Sequence, residues 1–198
     1  MNSTPGPWID ARAALHLGTG LCAFALGLVP WAGAVGLALL GCLLGFVVFP
    51  QVGLEARVRR PGEGYWTGLK TYPLAVLGLV LFLPAPQAAA AWAVLAFGDT
   101  AARLVGQRVR SPRVFGHPKL TWAGTLGGVL VGAGAAFGMS AAVHALALGS
   151  GAVAAAAPSS AGMCLAAASA AAAADAIPWR PNDNIPVAWA AGLALYPW

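Results

Sequence analysis

The chain has 198 residues, of which 59% are hydrophobic and 9% charged, with a formal net charge of +5 and a mean hydropathy of +0.74. A soluble domain carries roughly a quarter charged residues, so this composition excludes an ordinary water-soluble globule and points to a polytopic membrane protein. The positive charge is confined to a few loops and reads as membrane topology, not as a nucleic-acid surface.

The opening stretch, MNSTPGPWIDARAALHLG, lacks the basic region that precedes the apolar core of a cleavable signal peptide. Apolar runs follow at about 10–29, 31–49, 67–84, 87–106, 121–142, 151–176 and 185–198, separated by Pro, Gly and charge. They predict an all-α, polytopic transmembrane bundle of about seven spans, a single domain over residues 1–198 with no room for a soluble one. The sixth run, rich in alanine (AGMCLAAASAAAAADA), is expected to lie inside the bundle. The seventh is short, with Pro186 near its start, and reads as a partial or tilted span. Glycines in GTLGGVLVGAGAAFG permit close helix contact and need no nucleotide loop to explain them. Cys22, Cys42 and Cys164 lie in apolar segments without metal-type spacing and read as small packing residues.

Arg57, Arg59 and Arg60 fall between runs two and three, Arg108, Arg110, Arg113 and Lys119 between four and five, and Arg180 between six and seven. Two spans separate each of these loops from the next, so all three share one membrane face. The other connections (LVPWAG, LPAPQ, ALALGSG) contain no Lys or Arg. The excess of cations on cytoplasmic loops then puts the N-terminus and the basic loops in the cytoplasm.

This topology sorts the rare polar residues by depth. Asp99 lies about seven residues, or roughly 10 Å, from the cytoplasmic end of run four. Arg103 follows it by one turn, and Arg12 and His16 are one turn apart at the start of run one. Lys70, Thr71 and Tyr72 open run three, Thr121 opens run five, Asp175 closes run six, and Asp183 with Asn184 precedes run seven. Each has a structural reading. Asp99 pairs with Arg103 and so offsets much of the roughly 2.5–3.5 kcal/mol that a mid-span charge costs. His16 is a satisfied packing residue, the first three arginines are topology signals, and Asp183 and Asn184 are turn formers. His144 has no polar company and receives no role. Together, however, three carboxylates, several cations and a histidine at similar depth predict a polar cavity at the inner leaflet.

Asp99, Asp175 and Asp183 are hard oxygen ligands suited to Mg²⁺, which takes one or two carboxylates and substrate phosphates. Arg108, Arg110, Arg113 and Lys119 form a cationic loop able to hold a polyphosphate. Phosphoryl or nucleotidyl transfer to a lipid headgroup needs mainly positioning and charge neutralisation. No Walker A or protein-kinase signature is present. A polar vestibule without chemistry, in a lipid transporter, uses intramembrane charge equally well.

Four stretches, in order, resemble the integral-membrane CTP-dependent lipid-alcohol kinases, which include phytol, dolichol and fungal-type diacylglycerol kinases. ARAALHLGTGL is similar to that family's Arg-Lys-x-x-His-x-x-x-Gly segment, and WTGLKTYPLAVL to its Gly-[ST]-x-x-Tyr-Pro segment. FGDTAARLVGQRVRSPRVFGHPKLTWAGTLGG resembles Gly-Asp-x-x-Ala-x-x-x-Gly followed by Lys-[ST]-x-x-Gly-[ST], and ADAIPWRPNDNIPVAWA resembles Glu-x-x-Pro…Asp-Asn-x-x-x-Pro. Departures are Leu120 where the family has Lys (Lys119 is displaced by one), Ala123 for an acidic residue, Asp175 for Glu, and SPRVFGH for a Gly-Lys-His type link. The third stretch also resembles CDP-diacylglycerol synthases, whose closing His-Gly-Gly…Asp-Arg signature is absent. The CDP-alcohol phosphotransferase motif is excluded, because Thr100 stands for its glycine and two later aspartates are missing.

The resemblance implies a kinase moving the γ-phosphate of CTP to a long-chain lipid alcohol, either phytol, geranylgeraniol or a polyprenol, or diacylglycerol. Phosphatidate cytidylyltransferase-like transfer is the alternative. It implies Asp99, His16, Asp183 and Thr121 as catalytic residues and Mg²⁺ on Asp99, Asp183 and Asp175. Arg108, Arg113, Lys119, Gly124, Asn184 and Arg12 would bind the nucleotide. Expected partners are the lipid alcohol, the nucleotide and membrane lipids, with no nucleic acid and room for a homodimer. The expected location is a bacterial inner (plasma) membrane, the site facing the cytoplasm.

Overall fold

A computed structural model describes residues 11–59, 64–150, 156–177 and 182–196. Among these the chain is helical and has no strand, only an isolated bridge between Arg113 and Thr121. We number the helices α1 (Ala11–Leu21, continued by a 3₁₀ turn at Cys22–Gly27), α2 (Trp31–Gln51), α3 (Leu54–Val58) and α4 (Gly68–Phe82). Then come α5 (Ala85–Arg108), α6 (Trp122–Ser150), α7 (Ala161–Asp175) and α8 (Asn184–Leu195). By length and composition α2, α5 and α6 are able to cross a membrane; α4, α7 and α8 are shorter apolar helices.

Two boundaries differ from expectation. The fifth run does not stop near residue 142: α6 continues to Ser150, because AAVHALAL holds no Pro or charge to end it. The expected outer connection ALALGSG is therefore largely helix. The helix of the sixth run, α7, begins at Ala161, where the Ser160 hydroxyl accepts from Met163 N as an N-cap. Residues 151–155 of that run, Arg60, Arg180 and the end of the seventh run lie outside the described residues.

The innermost element is α5, not the alanine-rich sixth run. Ala88, Ala89, Ala90, Ala91 and Ala93 are all buried, because α6, α4, α8 and the 3₁₀ turn surround this helix. In α7 the stripe Cys164, Ala167, Ala168, Ala171 and Ala174 is buried, while Leu165 is exposed. Three- and four-residue spacing is the mark of a helix with one covered face. Cys164 fits its reading as a packing residue, whereas Cys22 is exposed.

Small residues set the central contact. Gly98, Ala102 and Gly106 of α5 face Gly124, Gly128 and Gly132 of α6: a Cβ on Gly128 would meet the Ala102 Cβ at 2.8 Å and the Gly98 carbonyl at 3.0 Å. Both helices thus present small-xxx-small stripes that let their backbones touch. Gly128→Leu is expected to separate them, lowering stability by about 3 kcal/mol or more, with a fall in unfolding midpoint in detergent as the check. Elsewhere Pro73, inside α4, cannot donate to the Leu69 carbonyl. Gly45 of α2 lies against that carbonyl and the Pro73 ring.

Hydrogen bonds identify the two ends of the bundle. At one end Asn184 Nδ2 donates to Thr71 Oγ1 (3.1 Å) and the Gly68 carbonyl (3.4 Å), and Arg12 donates to the Val58 carbonyl (3.5 Å). At the other, Gln87 donates to the Ala157 carbonyl, Ser159 N to Ser140 Oγ, and His144 Nδ1 lies 3.0 Å from the Ala156 carbonyl. His144, given no role from sequence, therefore helps fix the segment before α7.

Candidate active site

Helical spacing puts Arg12 and His16 on one face of α1, which buries Ala13, His16 and Gly20. Gly20 fits against Ala96 and Phe97 of α5, and this contact carries His16 to the next turn of that helix. His16 Nδ1 lies 3.5 Å from Asp99 Oδ2. Asp99 directly follows a π-helical stretch, Val94–Gly98. One residue inserted into a helix rotates everything after it by about 100°, and such bulges concentrate at functional positions. The Asp99 side chain remains 26% exposed, so a carboxylate within an apolar helix meets an imidazole across the α1–α5 contact.

Tyr72 of α4 stands against His16, ring centroids 4.8 Å apart and planes tilted by 50°. Its hydroxyl accepts from Trp92 Nε1 at 2.8 Å, two turns before Asp99 on α5. His16 is thus held by an acid and an aromatic ring, and the ring is itself pinned.

Two cavities adjoin this group. The larger, about 160 Å³, lies between α1, α2 and α4; its wall is mainly Leu, Ala, Gly, Pro and Val, with Arg12, His16, Thr19 and Tyr72 as polar members. The smaller, about 30 Å³, is lined by Asp99, Thr125 and Asp175 among small residues that include Gly98, Ala102, Gly128 and Ala171. His16 therefore borders the apolar cavity while its partner Asp99 borders the acidic one.

The remaining sequence-derived candidates divide. Asp183, the N-cap residue of α8, is not on the lining of the acidic pocket, although Val187, one turn further along the same face, is. Asn184 spends its amide hydrogens on α4. Thr121 Oγ1 accepts from Gly124 N at 3.2 Å and caps α6. Gly124 is buried against the Ala102 carbonyl and Gly106, a place set by helix contact. Arg108 is half-buried and turns back to the Leu104 carbonyl. Arg113 and Lys119 are exposed on the connection between α5 and α6. Arg12 lies against Gly68 beside the apolar cavity.

Among the described residues no three His, Cys, Asp or Glu side chains gather to cage a metal ion. Asp99 and Asp175 share one pocket, and two carboxylates suit Mg²⁺ when the ion keeps waters and binds substrate phosphates. The two carboxylates are a donor set that a partly hydrated Mg²⁺ would fit.

Sequence reading missed a buried ionic cluster at the same end. Glu55 Oε1 accepts from Arg59 Nη2 (2.8 Å), Lys70 Nζ (3.2 Å) and Thr67 Oγ1 (3.2 Å). Lys70 also donates to the Tyr65 carbonyl and sits 3.9 Å above that ring. Burial would push the Glu55 carboxyl up, but the bonds from Arg59, Lys70 and Thr67 and the lysine charge outweigh it and hold the carboxyl below its usual range. The available signal was a lone carboxylate among three arginines, with a lysine opening an apolar helix.

The fold and site define a helical bundle in which one acid–histidine pair divides an apolar cavity from an acidic pocket. No family model matches the chain, and no curated protein or solved structure matches it.

Proposed function

We propose that this protein is a membrane-embedded kinase transferring the γ-phosphate of CTP to the hydroxyl of a long-chain lipid alcohol, of the phytol, geranylgeraniol or polyprenol type. The observation that supports it is the His16–Asp99 pair standing between an apolar cavity and a pocket lined by two carboxylates. A lipid alcohol suits the first compartment and the phosphates of a nucleotide the second. In this reading the six apolar helices, and α1 with its 3₁₀ continuation as the seventh span, cross the inner (plasma) membrane of a bacterium, with the N-terminus and the site on the cytoplasmic side.

The chemistry follows from the residues. The lipid hydroxyl lies at the polar end of the cavity, near Arg12, His16, Thr19 and Tyr72. Its oxygen bonds to the γ-phosphorus, the bond from that phosphorus to the bridging oxygen breaks, and CDP leaves with the electron pair. The hydroxyl proton passes to the imidazole of His16, which Asp99 orients through Nδ1. Asp99 and Asp175 would hold Mg²⁺, both lining the acidic pocket, while Asp183 lies one turn before its wall residue Val187; when bound, that ion would neutralise phosphate charge. Arg103 and Arg108, along α5 beyond Asp99, attract the phosphates.

Purified protein given labelled CTP, Mg²⁺ and phytol is expected to form phytyl phosphate, with dolichol and diacylglycerol in parallel to rank acceptors; absence of every product contradicts the reading. Filling the cavity with Ala38→Trp is expected to raise KM for the alcohol about tenfold and leave KM for CTP unchanged, as measured by initial rates.

A further inference from the structure

The connection between α5 and α6 is a closed hairpin. Val114 N donates to the Leu120 carbonyl, Trp122 N to the Pro112 carbonyl and Ala123 N to Ser111 Oγ. His117 Nδ1 accepts from the backbone N–H groups of Lys119 and Leu120. This lattice fixes Phe115 in the left-handed region at φ 44° and leaves its ring 90% exposed. Bulky residues avoid that backbone conformation. Here the frame imposes it on a side chain with no core to fill.

Phe115 packs edge to face with Trp122, centroids 5.5 Å apart, and Trp122 is itself 41% exposed. Trp122 is the first residue of a 29-residue apolar helix. Tryptophans at the ends of spanning helices mark the membrane–water interface, so Phe115 sits at that level. Arg110, Arg113 and Lys119 lie on the same connection, all exposed. Between Asp99 and Asp175 the sequence contains no acidic residue to offset them.

We infer that this hairpin is an interfacial anchor for anionic phospholipid: Phe115 and Trp122 enter the headgroup–acyl boundary while Arg110, Arg113 and Lys119 bind lipid phosphates. Clustered cations beside a span with exposed aromatics are the arrangement that recognises an anionic leaflet. The inference takes its observations from the hairpin alone and does not depend on catalysis.

The test uses the full chain in nanodiscs of phosphatidylcholine alone and of phosphatidylcholine with phosphatidylglycerol, read by hydrogen exchange at residues 110–121 and by the phospholipid co-purifying with the protein. Exchange is expected to slow with phosphatidylglycerol and recover at high salt. Phe115→Ser and the pair Arg110→Gln with Arg113→Gln are each expected to reduce phosphatidylglycerol enrichment, the arginine pair by roughly tenfold. Asp99→Asn, which removes the proposed chemistry, is expected to keep that enrichment, so the two readings fail separately. Equal exchange in both discs overturns the inference. So does slowing produced by CTP and not by phosphatidylglycerol, which assigns the hairpin to the nucleotide.

Discussion

Asp99→Asn is expected to lower kcat by at least about 100-fold while leaving the unfolding midpoint in detergent nearly unchanged. The amide keeps the shape of the carboxylate but removes its charge. In the proposed transfer, loss of that charge leaves neither an imidazolium formed on His16 nor a cation beside the phosphates stabilised. The side chain is partly exposed and lies 3.5 Å from the His16 ring nitrogen, so the folded state loses little; even an exposed or loose charged contact contributes only about 0–1 kcal/mol. His16→Gln should give a smaller loss that added imidazole partly restores. Full activity in Asp99→Asn would remove the acid–histidine pair from the chemistry.

Lys70→Met carries the largest expected effect on stability. It leaves the buried Glu55 with Arg59 and Thr67 but without the cation on α4, and removing one member of a buried pair costs about 3–5 kcal/mol. Glu55→Gln with Lys70→Met should recover much of that loss, because no buried charge then remains unmatched. Denaturant or thermal unfolding in detergent gives the comparison. The cluster also sets an acid limit. A carboxyl held below its usual range contributes stability that is fully present above its unfolded value, near 4.3, and disappears as pH falls through the folded value. Wild-type stability should therefore drop below about pH 4, with a shallower drop in Glu55→Gln.

Hydrophobic run lengths located most helices to within a few residues, though not the end of α6 or the start of α7, and rare polar residues at run ends drew attention to the end where His16 and Asp99 meet. Both signals are local. What escaped them depends on packing between distant segments. Glu55 drew no reading from the sequence, because its partner Lys70 lies fifteen residues on, on a different helix. Gly124 and Thr121 sit at motif positions, yet in space one is a helix contact and the other a helix cap. The apolar cavity arises where Pro73 and Gly45 bring α2 against α4, which no single run encodes. The π stretch before Asp99 is equally silent in the sequence, since VLAFG reads as ordinary helix.

The most direct measurement follows the two ends of the nucleotide separately. CTP labelled at the γ-phosphate, and in a parallel reaction at the α-phosphate, is given with Mg²⁺ and a long-chain alcohol to purified protein, and the lipid is extracted. Only the γ-label is expected to enter the lipid, with CDP as the released nucleotide. Appearance of the α-label in lipid with release of pyrophosphate, or no labelled lipid from any alcohol offered, would contradict it.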